Sequence, residues 1–139
     1  MTSGSHAVLE PRAADLTNGA RITALLGRGL LAMLFVFAGL AKVLGPQPFL
    51  EHMREYGVPT LLLPAVIALE LGAGLALLVG WRVRYTAGAL GLFCLLTAFI
   101  FHHELGVKTE RTHFFKDLAI AGGLLAMATT AEATRPRGR

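Results

Sequence analysis

LLLPAVIALELGAGLALLV, residues 61–79, is an apolar run broken by a single charge, Glu70. A carboxylate at the centre of a bilayer-spanning helix costs about 3 kcal/mol on insertion scales, so a chain that keeps one there has a partner or a task for it. The first question is therefore whether this run crosses a membrane.

Working outward, three more runs have the same character: residues 22–44, 85–101 and 114–133. Roughly 17 to 25 apolar residues span the hydrocarbon of a bilayer. The run at 85–101 carries no charge at all, whereas the last has Lys116 and Asp117 near its start. Across the whole chain of 139 residues, 54% are hydrophobic and only 16% charged, with mean hydropathy +0.58. A soluble domain carries about 25% charged residues. A soluble helical bundle would also show a polar stripe along each helix, and residues 85–101 show none. The sequence predicts an all-α, integral membrane bundle of four transmembrane helices. Arg21 and Arg28 ahead of an apolar stretch that ends Gly39-Leu40-Ala41 resemble a cleavable signal, but three further spans favour a first helix that stays.

Positive charge sets the expected orientation. The segment through Arg28, the turn with Arg82 and Arg84, and the tail with Arg135, Arg137 and Arg139 fall on one side. The positive-inside rule makes that side, with both termini, cytoplasmic. Under this topology the net charge of +4 needs no nucleic-acid partner, and the basic tail has no interleaved aromatics. Residues 1–20 are polar and small and read as a flexible arm, 21–134 as the membrane domain, and 135–139 as a basic tail.

The polar residues of the outer half then stand out. Lys42 ends the first helix, Glu70 lies halfway along the second, His102 and His103 end the third, and Lys116 with Asp117 starts the fourth. Helical spacing puts Lys42 on a face with Ala38 and Gly39, Glu70 with Ala73 and Gly74, His102 with Ala98, and Lys116 with Ala119 and Gly123. Small residues mark where membrane helices approach, so these polar groups are expected to face the bundle interior. Ala68, Gly72, Ala76 and Gly80 offer a second small stripe on the same helix as Glu70. Between the first two spans, residues 48–56 have Phe49, Leu50, Met53 and Tyr56 on one face, the pattern of a short helix lying on the membrane surface.

Two readings of the cluster follow from its chemistry. Glu70 with Lys42 or Lys116 makes a structural ion pair. Alternatively, Glu70 and His102 handle protons while Lys42 and Lys116 hold a carbonyl or anionic group, an arrangement suited to a quinone. A metal site is not expected: His102 and His103 diverge by about 100 degrees on a helix, and His52 and His113 would have to come from separate loops. The chain's single cysteine, Cys94, excludes an intramolecular two-cysteine thiol relay. No phosphate-binding glycine loop, zinc-protease helix or serine elbow is present, and the glycines lie in apolar helices where packing explains them.

Four segments carry a family resemblance: FVFAGLAKVLGPQPFLEHMREYGVP (35–59), LPAVIALELGAGLALLVGWRVRYTAGAL (63–90), FIFHHE (99–104) and HFFKDLAIAGGLLAM (113–127). Together they resemble the DoxX family of small bacterial inner-membrane proteins. GLAK at the end of the first helix, the glutamate-glycine second helix and FFKDLAIAGG are the most specific pieces. The resemblance implies a four-helix membrane fold in the bacterial inner membrane and draws attention to Lys42, Glu70, His102 and Lys116. It also implies a redox-linked role, as a quinone-associated subunit served by a separate redox enzyme. The chain has no electron carrier of its own, so it is not expected to be a self-sufficient oxidoreductase. The competing expectation is a non-enzymatic scaffold or assembly factor. The lipid bilayer, a redox-enzyme partner and a second copy of the chain are the partners considered, and quinone the cofactor.

Overall fold

A computed structural model describes residues 13–133, and among these every regular element is helical. Helix α1 runs Ala13–Leu44, α2 Gln47–Glu55, α3 Leu63–Val79, α4 Val83–Phe101 and α5 Lys108–Ala133, with a 3-10 turn at Thr60–Leu62 leading into α3. Four stretches are long and apolar enough to cross a membrane: Asn18–Leu44, Thr60–Val79, Val83–Phe101 and Lys108–Ala131. A short helix, α2, forms in the segment read as lying on the membrane surface, with Met53 as its buried residue.

Local sequence explains the breaks. Pro48 and Pro64 sit in the first turns of α2 and α3, where a missing N–H costs nothing. Gly80 ends α3 at φ 80 and lets the N–H groups of Gly80 and Trp81 return to the carbonyls of Leu77 and Ala76. Two residues on, Arg82 starts α4 from φ 45, a left-handed conformation that costs a non-glycine residue about 1–2 kcal/mol.

Helix α1 packs on α3, α4 packs on α5, and the pairs join mainly through α3 and α4. The shared core holds Ala32, Phe35, Leu77, Leu90, Cys94 and Leu124. Outside it the surface is apolar: Leu30 is 70% exposed, Phe37 61% and Phe99 62%. A water-soluble bundle does not leave apolar side chains bare on every long helix, whereas lipid is their natural solvent.

Glycines set the α1–α3 distance. A β-carbon at Gly39 would lie 2.7 Å from Leu71 Cγ, and one at Gly74 would lie 3.2 Å from both Phe35 Cβ and Val36 Cγ2. These are the small residues predicted to share faces with Lys42 and Glu70. The second stripe behaves differently, since Ala68 and Gly72 are exposed and no atom within 4 Å would meet a β-carbon at Gly72.

Two boundaries differ from expectation. Helix α5 begins six residues before the predicted start at 114, so Lys116 and Asp117 lie in its third turn. Its first residues, Lys108 to Arg111, are too polar to read as membrane helix. Helix α1 likewise reaches back to Ala13, into the segment read as an arm, while residues 1–12 and the basic tail at 135–139 lie outside the described residues.

Candidate functional site

Because α1 and α3 approach so closely, the last turn of α1 delivers Lys42 beside the middle of α3. The Lys42 ammonium donates a hydrogen bond of 2.9 Å to Glu70 Oε1 and lies 2.8 Å from Oε2. Glu70 is only 4% exposed. Its Oε2 has the ammonium as an electrostatic neighbour but receives no directed hydrogen bond among the described residues. Lys42 also reaches its own helix, 3.4 Å from the Ala38 carbonyl, and lies 4.7 Å from the centroid of the Phe49 ring. Of the two lysines considered as partners for Glu70, the structure selects Lys42.

A second polar group gathers where α4 ends and α5 begins. His102 Nδ1 is 2.6 Å from Glu110 Oε2, and Nε2 is 3.9 Å from Asp117 Oδ2. The His113 ring stacks on His102 with centroids 5.2 Å apart, and its Nδ1 is 3.0 Å from Lys116 Nζ. Since α5 starts early, Glu110, His113 and Asp117 fall at i, i+3 and i+7 and so share one face. Nδ1 of His102 donates to the Glu110 carboxylate in the neutral imidazole, which leaves Nε2 as the acceptor.

Above both groups lies α2. His52 stacks on Phe101 at 5.0 Å and is 4.9 Å from Tyr56, whose ring meets Phe101 at 5.5 Å and His103 at 5.9 Å. The Tyr56 phenol is held above its ordinary range, first by loss of solvent and then by Glu110, Glu104 and Glu55.

Beneath this roof is a cavity of about 390 Å³. Lys42, Glu70, His102 and Lys116 all line it, together with His52 and Asp117. The remaining wall is largely apolar, with Phe35, Val66, Phe93 and Ile120 from four different helices. Its size is at the lower end of small-molecule sites, about 300–1,000 Å³. The four residues singled out from sequence therefore meet at one cavity, but not as one hydrogen-bonded cluster. Lys42 pairs with Glu70, His102 with Glu110, and Lys116 with His113.

Sequence reasoning missed Glu110. The signal for it was the i, i+3, i+7 spacing from Glu110 to His113 and Asp117, hidden by placing the helix start at 114. Among the described residues no group of three or more His, Cys, Asp or Glu side chains is placed to hold a metal ion.

Comparison with known proteins agrees with this architecture. The DoxX family profile matches residues 23–103. Inner membrane protein YqjF of Escherichia coli (strain K12) is 42% identical over 106 residues, covering 76% of this chain and 82% of the relative. Inner membrane protein YphA of the same organism is 29% identical over 113 residues, covering 76% and 81%. No solved structure matches the chain significantly.

Proposed function

The chain belongs to the DoxX family and is a multi-pass protein of the bacterial inner membrane; from that premise we propose that it is the quinone-associated membrane subunit of a redox complex. The observation that carries this reading is the meeting of a buried Lys42–Glu70 pair and of His102, itself held by Glu110, at one largely apolar cavity of about 390 Å³. Such a cavity suits a ligand with an apolar body and two hydrogen-bonding ends. The arginine-rich end is cytoplasmic by the positive-inside rule, so the cavity lies in the extracytoplasmic half.

The donor set fits a quinone or quinol headgroup. Lys42 and Lys116 supply N–H donors for a carbonyl oxygen, while Glu70 Oε2, which lacks a directed hydrogen bond, supplies an acceptor for a hydroxyl. A bound quinone supplies two-electron redox chemistry that no side chain here possesses. The chain's own part is to exclude water, orient the headgroup and exchange protons at Glu70 and at His102 Nε2. Glu110 holds the His102 ring in place from Nδ1. Electrons come from a separate protein.

Glu70→Gln removes the proton-exchanging carboxylate while keeping its shape. The variant should insert with its helices intact but lose quinone-linked turnover in native membranes. Unchanged turnover contradicts the proposal. Affinity purification from native membranes tests the partner: a redox enzyme recovered in stoichiometric amount is expected.

The competing reading, a scaffold whose polar groups only fix helix register, is favoured by the tight Gly39 and Gly74 contacts around the ion pair. It predicts a protein that carries no quinone and tolerates Glu70→Gln in cells.

A further inference from the structure

The opposite end of the bundle holds a different concentration of charge. Arg28 lies within the membrane span Asn18–Leu44, and its guanidinium crosses over Gly80 so closely that a β-carbon there would sit 3.0 Å from Nη1 and 3.1 Å from Nη2. Two residues beyond Gly80, Arg82 is exposed, with its guanidinium 5.4 Å from the centroid of the Trp81 ring. Trp81 and Tyr85 are themselves 61% and 60% exposed. Such a belt of aromatics marks the level of lipid headgroups.

Among the described residues these arginines have no acidic partner. None of the ion pairs among the described residues uses Arg28 or Arg82. Two of the four terminal α3 carbonyls, those of Leu77 and Ala76, are already bonded by the N–H groups of Gly80 and Trp81 at 3.2 and 2.8 Å and need nothing from Arg28. At headgroup level a basic side chain is drawn to anionic lipid by about 1 kcal/mol per charge. Arg82 adopts a left-handed backbone; its carbonyl accepts from Thr86 Oγ1 at 3.2 Å, and its own side chain caps no helix N–H. Glycine at 80 leaves the space that Arg28 fills, which brings the Arg28 guanidinium from α1 to the α3–α4 turn that carries Arg82.

We propose that Arg28 and Arg82 together bind the phosphate of a phospholipid whose headgroup carries net negative charge, with Trp81 packed beside the bound lipid. Planar guanidinium groups suit phosphate oxygens, which they engage by two parallel N–H donors. The site is separate from the cavity and does not depend on its ligand.

Trp81 is the chain's only tryptophan, so its fluorescence reports on this site alone. The full chain is placed in phosphatidylcholine nanodiscs containing a small fraction of brominated phosphatidylglycerol or, for comparison, brominated phosphatidylcholine. Brominated phosphatidylglycerol should quench Trp81 at lower mole fraction, with each arginine contributing about fivefold in relative affinity. Arg28→Gln and Arg82→Gly should each reduce the preference by about that factor. The glycine variant accepts the left-handed backbone, so its result is not clouded by misfolding. Arg21→Gln, an exposed charge earlier on α1, should leave the preference intact. Equal quenching by the two lipids would overturn the site, as would a preference that survives Arg28→Gln or Arg82→Gly undiminished, or one reduced equally by Arg21→Gln. Loss of preference on adding inorganic phosphate, but not chloride of equal ionic strength, would overturn the lipid assignment in favour of free phosphate.

Discussion

The two polar groups at the cavity are built from similar charges and held by different physics. Lys42 and Glu70 lie between helices brought together by Gly39 and Gly74, with side chains 14% and 5% exposed. His102 and Glu110 join neighbouring helix ends beside a short loop, with side chains 19% and 22% exposed. In the first pair neither charge can turn to water if its partner is lost. In the second, solvent is within reach. Burial, rather than hydrogen-bond length, should therefore decide which pair the fold depends on: the shorter contact, 2.6 Å, is in the more exposed pair.

The largest effect should come from breaking the inner pair on one side. Lys42→Met strands the Glu70 carboxylate, and uncompensated buried charges cost about 3–5 kcal/mol. Unfolding of the purified protein in mixed micelles should show a loss of that size, and the double variant Lys42→Met/Glu70→Leu should recover most of it. A single variant as stable as the wild type would show that the pair is effectively solvated.

Overpacking the seam comes next. Gly39→Val places carbon within 3 Å of Leu71 and should cost about 1–3 kcal/mol. It should also weaken the Lys42–Glu70 contact, so its cost should shrink in the Lys42→Met/Glu70→Leu background. Additive losses in the same unfolding assay would uncouple packing from pairing.

At the rim the expected change is smaller. Glu110→Gln should alter stability by under about 1 kcal/mol. Its consequence should instead be for the His102 imidazole, whose Nδ1 loses a charged acceptor. Imidazole nitrogen shifts measured by NMR should change at His102 while the helices keep their dispersion. A stability loss as large as that of Lys42→Met would contradict the distinction between the pairs.

The smallest effect is a titration. In a Tyr85→Phe background Tyr56 is the only tyrosine left, since the chain has two. Its phenol is held above the ordinary value of about 10 by desolvation and by Glu110, Glu104 and Glu55. The neutral form is thus favoured in the folded state. The associated stability is present below the unfolded pKa and lost as pH rises through the folded one. Absorbance at 295 nm should show a midpoint above the ordinary value, moving down in Glu110→Gln.

Much of the inner region was legible in the sequence, and less of the rim. Apolar runs separated by Pro and Gly located the four spans, and Gly39 and Gly74 announced the faces that carry Lys42 and Glu70. What the linear pattern could not decide was whether Lys42 or Lys116 reaches Glu70, because both lie on small-residue faces at the same bilayer level. That choice rests on α1, not α5, being the neighbour of α3. The rim failed for a different reason. Residues Lys108 to Arg111 are helical but polar, so a hydropathy reading assigns them to a loop, and Glu110 leaves the face it shares with His113 and Asp117.

If the cavity serves a lipid-soluble quinone, as proposed, removing the inner pair should empty it. Wild-type protein and the Lys42→Met/Glu70→Leu variant, purified in parallel in a gentle detergent, are extracted with organic solvent, and the extracts are scanned before and after chemical reduction. A quinone absorbance that disappears on reduction is expected, close to one per wild-type chain and absent from the variant. Equal amounts in the two extracts, or none in either across several gentle detergents, would contradict the proposal.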